Sequence, residues 1–285
     1  MTLIDLYNAK GPLIMGVVNV TPDSFSDGGR FYDHDAALNR VRQMVAEGAD
    51  VLDIGGESTR PGAAPVSLDE EVGRVVPLIA AIAQITDVPV SIDTLKPEVA
   101  EEARHAGATV WNDVSALSHD SASLETAARL DCDIVLMHMQ GEPRTMQSNP
   151  YYEDVVAEVE SYLLERAAAA MRSGVRREHI WIDPGIGFGK TLDHNLALIG
   201  ATARLASHGF PLLMAASRKR FIAALEEREG AAASKPEQRL GASLAAHLYA
   251  VRAGAKMVRV HDVAEMRQAL RLWRAVEDQD FPRKR

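Results

Sequence analysis

A chain of 285 residues is long for one ordinary domain but normal for one α/β barrel, and its 47% apolar and 25% charged composition excludes disordered and fibrous classes. Its net charge of −9 argues against a general affinity for nucleic acid or anionic membranes, so any anionic ligand must be drawn by a local basic cluster. With no apolar run of membrane-spanning length, an Asp5 that interrupts the weakly apolar first residues and spoils a signal peptide, and a lone Cys132 without a disulfide or zinc partner, a cytoplasmic protein with a buried, structural Cys132 is expected.

Along the chain, short apolar runs alternate with Ala-rich amphipathic segments. A strand over 13–18 stops at Asn19 and is followed by a long loop, 19–34, and a helix over 35–48. The strand over 50–54 carries Asp53; after a loop at 55–67 comes a helix over 69–85, opened by Ser67 with Glu70 three residues on, the spacing of a capping box. The third strand, 88–93, ends at Asp93, and Pro97 suits the first turn of the helix over 97–106. Strand 108–112 ends at Asn112 ahead of a helix over 122–130, and strand 132–137 ends at Met137, ahead of a loop at 138–150 and a helix over 152–173. Strand 179–183 ends at Asp183, with a helix over 194–207 beyond it. Strand 211–216 runs into Ser217-Arg218-Lys219 and a loop at 217–235 before the helix over 236–253. The last strand, 256–260, carries Arg259 and leads to His261 and a helix over 262–277. Gly48, Gly107, Gly174 and Gly254 each stand between a helix and the next strand, where a left-handed C-cap is expected.

Eight such units, unchanged in character throughout, predict one domain over 1–285 folded as a (β/α)8 TIM barrel, with a doubly wound open sheet as the structural alternative. Both folds bind ligands at the C-terminal ends of their strands. The polar strand endings therefore share one address, and the long loops lie on that side.

The motifs sharpen this. Asn19-Val-Thr-Pro-Asp-Ser-Phe-Ser-Asp-Gly-Gly29 is rich in oxygen donors, and its Phe25 is costly to leave in water unless it covers a ligand. Gly55 to Gly62 holds Thr59 and Arg60 beside Pro61, and an arginine there suits phosphate or carboxylate oxygens. Asp183-Pro-Gly-Ile-Gly-Phe-Gly-Lys190 looks like a P-loop but fails its spacing, because Pro184 stands where a glycine is needed. Its glycines suit backbone lying close beneath a planar ligand, with Asp183 accepting hydrogen bonds. Ser217, Arg218 and Lys219 with Arg259 and His261 form the local basic cluster, at the strand ends where barrels often bind phosphate. His138 has no second ligand at metal spacing and reads as structural or pocket-lining. The helix containing Gly241 to Tyr249 is either core or a subunit contact.

Taken in order, these segments, with Ser91-Ile-Asp-Thr94, Asn112-Asp113, Met137 to Gly141 and Arg259-Val-His261, resemble the dihydropteroate synthase family over residues 11–270. The resemblance implies a barrel enzyme joining 6-hydroxymethyl-7,8-dihydropterin diphosphate to 4-aminobenzoate, with release of diphosphate and no covalent enzyme intermediate. It implies that Asp93, Asn112 and Asp183 read the pterin ring, with Lys219 at its far edge and Met137 in the wall. Asn19 would help bind Mg²⁺, Arg259 and His261, assisted by Thr59, would hold the diphosphate, and Arg60 and Val260 would be among the substrate-binding residues. Asp93, with Asp27 of the first loop, would stabilise a cation on the pterin methylene. Phe25, Pro61, Phe188, Lys219 and Ser217 would hold the aminobenzoate, a pocket that sulfonamides would share. Catalytic roles thus fall to Asp93, Lys219, Arg259, His261 and Asp27. A homodimer through late helices is implied as well.

One departure is Ala215, where the family usually has glycine, which bears on fine substrate or sulfonamide affinity. Asp53 is expected to support the loop carrying Thr59 and Arg60. Two competing readings are a non-catalytic pterin-binding paralogue and a pterin-dependent corrinoid methyltransferase domain. The Phe25 loop and Ser217-Arg218-Lys219 argue against the second.

Overall fold

In the computed structural model, residues 2–20, 34–58 and 62–278 are described. Strands β1 (Leu13–Asn19), β2 (Val51–Gly55), β3 (Val90–Asp93), β4 (Val110–Asp113), β5 (Asp133–Met137), β6 (Ile180–Asp183), β7 (Leu213–Met214) and β8 (Met257–Val260) are all parallel. They lie in the order β6-β5-β4-β3-β2-β1-β8-β7. A single bridge between Ile182 and Leu212 joins the two ends of that order. The sheet is a barrel, and the open-sheet alternative is set aside.

Successive side chains on a strand point to opposite faces, and the inward-facing sets of β1, β3, β4, β6 and β8 include Asn19, Asp93, Asn112, Asp183 and Arg259 at or next to the strand end. The interior floor is a compact apolar cluster of Leu13, Met15, Val51, Val110, Val135, Trp181, Leu213, Ala215 and Met257. Helix α1 (Leu3–Lys10) seals it from the N-terminal side with Leu3 and Leu6. The seal is pinned by the Leu3 N–H, which donates to buried Asp133 at 2.8 Å, and the other oxygen of Asp133 meets His179 Nδ1 at 3.1 Å. The alternate residues of the strands, among them Ile14, Leu52, Ile92, Trp111, Ile134 and Val258, face outward into a larger apolar layer beneath the helices.

That layer is met by α2 (His34–Glu47), α3 (Leu68–Ala83), α4 (Pro97–Ala106), α5 (Ser123–Leu130), α6 (Val155–Arg172), α7 (Leu192–Gly200), α8 (Thr202–Ala206), α9 (Arg220–Arg228), α10 (Leu240–Arg252) and α11 (Val263–Glu277). Helix α3 buries Val75, Leu78, Ile79 and Ile82, the spacing of one helical face. Ser67 caps it by accepting from Glu70 N, but the Glu70 carboxylate turns to Arg74 and leaves the capping box half made. Gly48, Gly107, Gly174 and Gly254 all have positive φ, as expected of left-handed caps. Among the described residues, no helix is long and apolar enough to cross a membrane. Cys132 is buried, and burial pushes its thiol up to about 12, so it is inert packing.

Four expectations need correction. Residues 3–10 form a helix that the sequence reading passed over, and the segment 217–235 contains α9 rather than being all loop. The helix expected over 194–207 is broken into α7 and α8 around Ala201. The seventh strand keeps ladder pairing only at Leu213 and Met214. Beyond them the chain bonds to side chains of α10, with Ala216 N donating to His247 Nε2 at 3.1 Å and Arg218 N to Ser243 Oγ at 2.9 Å.

Candidate active site

Above the apolar floor the inward positions turn polar together. Asn19, Gly55, Asp93 and Asn112 are register partners across β1 to β4. Gly55 stands between its neighbours: a Cβ there would lie 3.7 Å from Asn19 Oδ1 and 3.8 Å from Asp93 Oδ2, so both oxygens flank this glycine. Asp183 ends β6 beside Met137 of β5, while Ser217, Lys219, Arg259 and His261 approach from the β7–β8 side.

The charges are arranged around Arg259. Its Nε donates to Asp53 Oδ2 at 2.6 Å and its terminal nitrogen to Asp93 Oδ2 at 2.8 Å. Asn112 Nδ2 donates to the same Asp53 oxygen at 3.3 Å, so the amide turns its carbonyl oxygen to the pocket. Burial pushes the Asp93 carboxyl up, Arg259 pulls it back and Asp53 raises it again, leaving it at about 7. For Arg259 burial acts downward, but Asp53 and Asp93 outweigh it and hold the guanidinium charged. Burial also raises Asp183, against the pull of Lys219 and of the Gly185 N–H, which donates at 2.7 Å. Lys219 is lowered to about 8 by burial, with Asp183 opposing.

Lys219 donates to the carbonyl of Ile186, and its ammonium stands 4.6 Å from the centre of the Phe188 ring. Ser217 Oγ is 3.0 Å from His261 Nδ1 and accepts from His261 N at 3.2 Å. A pocket thus presents carboxylates and an amide on one side, an ammonium and an aromatic ring on another, and an imidazole with a guanidinium between them. Such a wall can read a flat heterocycle edge-on and hold an anion beside it.

The model of the family described as pterin binding enzyme matches residues 15–261. Dihydropteroate synthase of Escherichia coli K12 is 46% identical over 271 residues, covering 95% of this chain and 93% of that protein. The chain belongs to the dihydropteroate synthase family. A solved Xanthomonas albilineans dihydropteroate synthase with 4-aminobenzoic acid superposes with a TM-score of 0.87 at 47% identity, over 95% of this chain and 94% of the other. The same organism's enzyme in complex with 7,8-dihydropteroate gives 0.84 at 44% identity, over 95% of both chains.

Of the residues that the dihydropteroate synthase resemblance singled out, Asn19, Asp93, Asn112, Met137, Asp183, Phe188, Ser217, Lys219, Arg259 and His261 come from the strand ends and loops of one barrel face. Phe25, Asp27, Thr59, Arg60 and Pro61 lie outside the described residues. Val260 falls on the outward face of β8, and its side chain packs in the layer under the helices; only its backbone is left to meet a ligand. The Asp53 carboxylate accepts from Arg259 and Asn112; the Thr59–Arg60 loop it was expected to support lies outside the described residues. Arg218 leaves the basic cluster, since Asp262 takes its guanidinium with one bond at 2.9 Å.

Asp113 is turned to local use. It accepts from Ser115 N, Ser115 Oγ and Leu117 N, and so caps a turn in which Ala116 and Leu117 have positive φ. The sequence reading missed Lys190 as a site element and the α10 pair Ser243 and His247. Neither had a local signal, because their partners lie elsewhere in the chain.

Proposed function

We infer that this chain is a dihydropteroate synthase: it condenses 6-hydroxymethyl-7,8-dihydropterin diphosphate with 4-aminobenzoate to give 7,8-dihydropteroate and diphosphate. The observation that carries this is the set of Asp93, Asn112 and Asp183 at one barrel mouth with Lys219 and Arg259, in a chain related over 95% of its length to proteins of that name. We propose that residues 1–285 act as one domain. The use of Leu3 and Leu6 in the barrel floor supports counting the N-terminal segment as part of it.

In the proposed reaction Asp183 and Asn112 accept hydrogen bonds from the pterin edge, and Lys219 donates from the far side. Arg259 and His261 hold the diphosphate, with Thr59 and Arg60. The bond from the pterin methylene to the diphosphate oxygen breaks with its electron pair on oxygen. Asp93, with Asp27, faces the positive charge that develops on the methylene carbon. The amine of 4-aminobenzoate then forms the carbon–nitrogen bond with its lone pair and gives up one proton to water or to the released diphosphate. Phe188, Phe25 and Pro61 flank the benzoate ring, Lys219 and Ser217 meet its polar groups, and sulfonamides are expected to compete there.

The donors present fit Mg²⁺. Asn19 and Asp93 offer oxygen only, and no cluster of three His, Cys, Asp or Glu able to hold a metal exists among the described residues. That matches a hard cation bound through one or two protein oxygens while phosphate and water complete its shell. When bound, Mg²⁺ would neutralise charge on the departing diphosphate. Tyr249 of α10 and Leu272 and Val276 of α11 are large exposed apolar side chains. They support a homodimer through these helices, which light scattering at twice the 31.0 kDa chain mass would detect.

The deciding experiment supplies purified protein with pterin diphosphate, Mg²⁺ and 4-aminobenzoate and follows dihydropteroate. Product is expected. Measurable pterin binding with no product would reduce the chain to a binding module.

A further inference from the structure

Lys190 closes the glycine-rich segment after β6 and is 3% exposed. Among the described residues, no carboxylate lies within ion-pair distance of it. Its Nζ instead meets the carbonyl of Phe188 at 2.8 Å, the carbonyl of His138 at 3.2 Å and His138 Nδ1 at 3.0 Å. An ammonium has three donors, and here there are three acceptors. Burying an amine without a counter-charge is costly, and burial together with Lys219 does depress it. An apolar side chain would fill the space without that cost, so its value must lie in what the three bonds hold.

They hold a loop to a strand end. His138 follows β5, and its N–H donates to Asp183 O at 3.0 Å. A Cβ on Gly185 would collide with the His138 carbonyl, and one on Gly189 would come within 2.5 Å of Gln140 O, so the two segments lie back to back. Every carbonyl from Gly185 to Gly189 has a donor: Phe188 N, Lys219, Gln147, Lys190 and Tyr152 in that order. His138 is packed in turn edge-on against Tyr162, with ring centres 5.0 Å apart. The loop that carries Phe188, and whose Ile186 carbonyl receives Lys219, is thus built on side chains behind it.

We propose that Lys190 with His138 is a positioning pair for the aminobenzoate side of the site, acting through the Phe188 carbonyl to set the Phe188 ring against Lys219. It touches neither substrate. Its loss would let the ring swing away from Lys219 while Asp93 and Asn112, on strands across the barrel, keep their places. The inference rests on the synthase reading above.

The test is Lys190→Met, close in length and without donors, with His138→Leu as a milder variant that keeps the backbone acceptor. For Lys190→Met the KM for 4-aminobenzoate is expected to rise about tenfold, the scale of a lost hydrogen-bonded contact. The pterin diphosphate dissociation constant should stay within about twofold. His138→Leu should shift the same constant less, and the double variant no more than Lys190→Met alone, since both break one unit. If Lys190→Met does not fold, His138→Leu against His138→Asn, which restores a side-chain acceptor, carries the test: recovery in the asparagine variant is expected. Unchanged aminobenzoate KM in the variants, or equal losses toward both substrates, overturns the pair as a positioning device. A wild-type enzyme that makes no dihydropteroate overturns the synthase reading instead.

Discussion

Replacing Arg259 by methionine keeps the side chain's reach and removes the charge between Asp53 and Asp93. The guanidinium stands 2.6 Å from one carboxylate and 2.8 Å from the other, and Asp53 has no contact with solvent. Removing one partner of a buried pair costs about 3–5 kcal/mol. Arg259 and Asp93 keep 19% and 12% of their side-chain surface in water, which favours the lower end. The loss should carry a pH signature. Burial already holds Asp93 at about 7 in the folded protein with Arg259 opposing it; without Arg259 the folded-state value climbs further. A value raised above that of the unfolded chain contributes stability that is present at low pH and fades as pH rises to the folded value, at about 1.4 kcal/mol per pH unit for one proton. The wild type therefore stops losing stability to this group near pH 7, and the variant goes on losing it. Urea unfolding at about pH 6 and about pH 8.5 should show the gap widening by at least about 1 kcal/mol at the higher pH. The same gap at both values would refute Arg259 as the group that compensates these carboxylates.

The pH profile of kcat/KM should rise through about 7 as Asp93 ionises and fall through about 8 as Lys219 loses its proton; a profile without either limb contradicts their roles. In Asp183→Asn the amide oxygen can still accept from Gly185 N and the NH2 then stands where the second carboxylate oxygen would accept from the pterin, so calorimetry should find pterin affinity weakened about 10- to 150-fold, or about 1.5–3 kcal/mol. Asn19→Ala should leave binding of the bare pterin intact and flatten the Mg²⁺ dependence of diphosphate binding; a steep dependence in the variant would remove Asn19 from the metal. Gly185→Ala combines a φ of +67° with a Cβ driven into the His138 carbonyl, and should cost about 2–3 kcal/mol in thermal or urea unfolding; a neutral result would mean that β5 and the loop do not meet as closely as described.

Much of the site was legible because barrel geometry turns a one-dimensional pattern into an address. An apolar run ending in Asp or Asn, repeated strand after strand, placed Asp93, Asn112 and Asp183 at one mouth before any contact was known. What was not legible depends on partners far off in sequence. The bond of Asp53 to Arg259 has no local sign because the two are 206 residues apart, and Val260 looked like a ligand contact because it lies between two residues that face inward. Lys190 read as the end of a failed phosphate motif, and only the fold brings His138 to it. Two misses were readable in principle. Thr2 and Asp5 have the spacing of the capping box that opens α1, and Phe221, Ile222 and Leu225 have the spacing of one helical face in a segment taken for loop. The seventh strand was overcounted because its apolar run outlasts its ladder: residues after Met214 bond to α10.

That last detail makes the barrel a hoop of uneven strength. Six joints between neighbouring strands are paired over three to five residues, the joint between β7 and β8 over two, and the joint between β6 and β7 has one bridge. A ring closed at every joint but one behaves mechanically like a clasp: it yields at the fastening before it yields anywhere else. The fastening lies below Asp183 and Lys219, so opening at that joint would be expected to disturb these two groups before the β1–β4 arc that carries Asn19, Asp93 and Asn112.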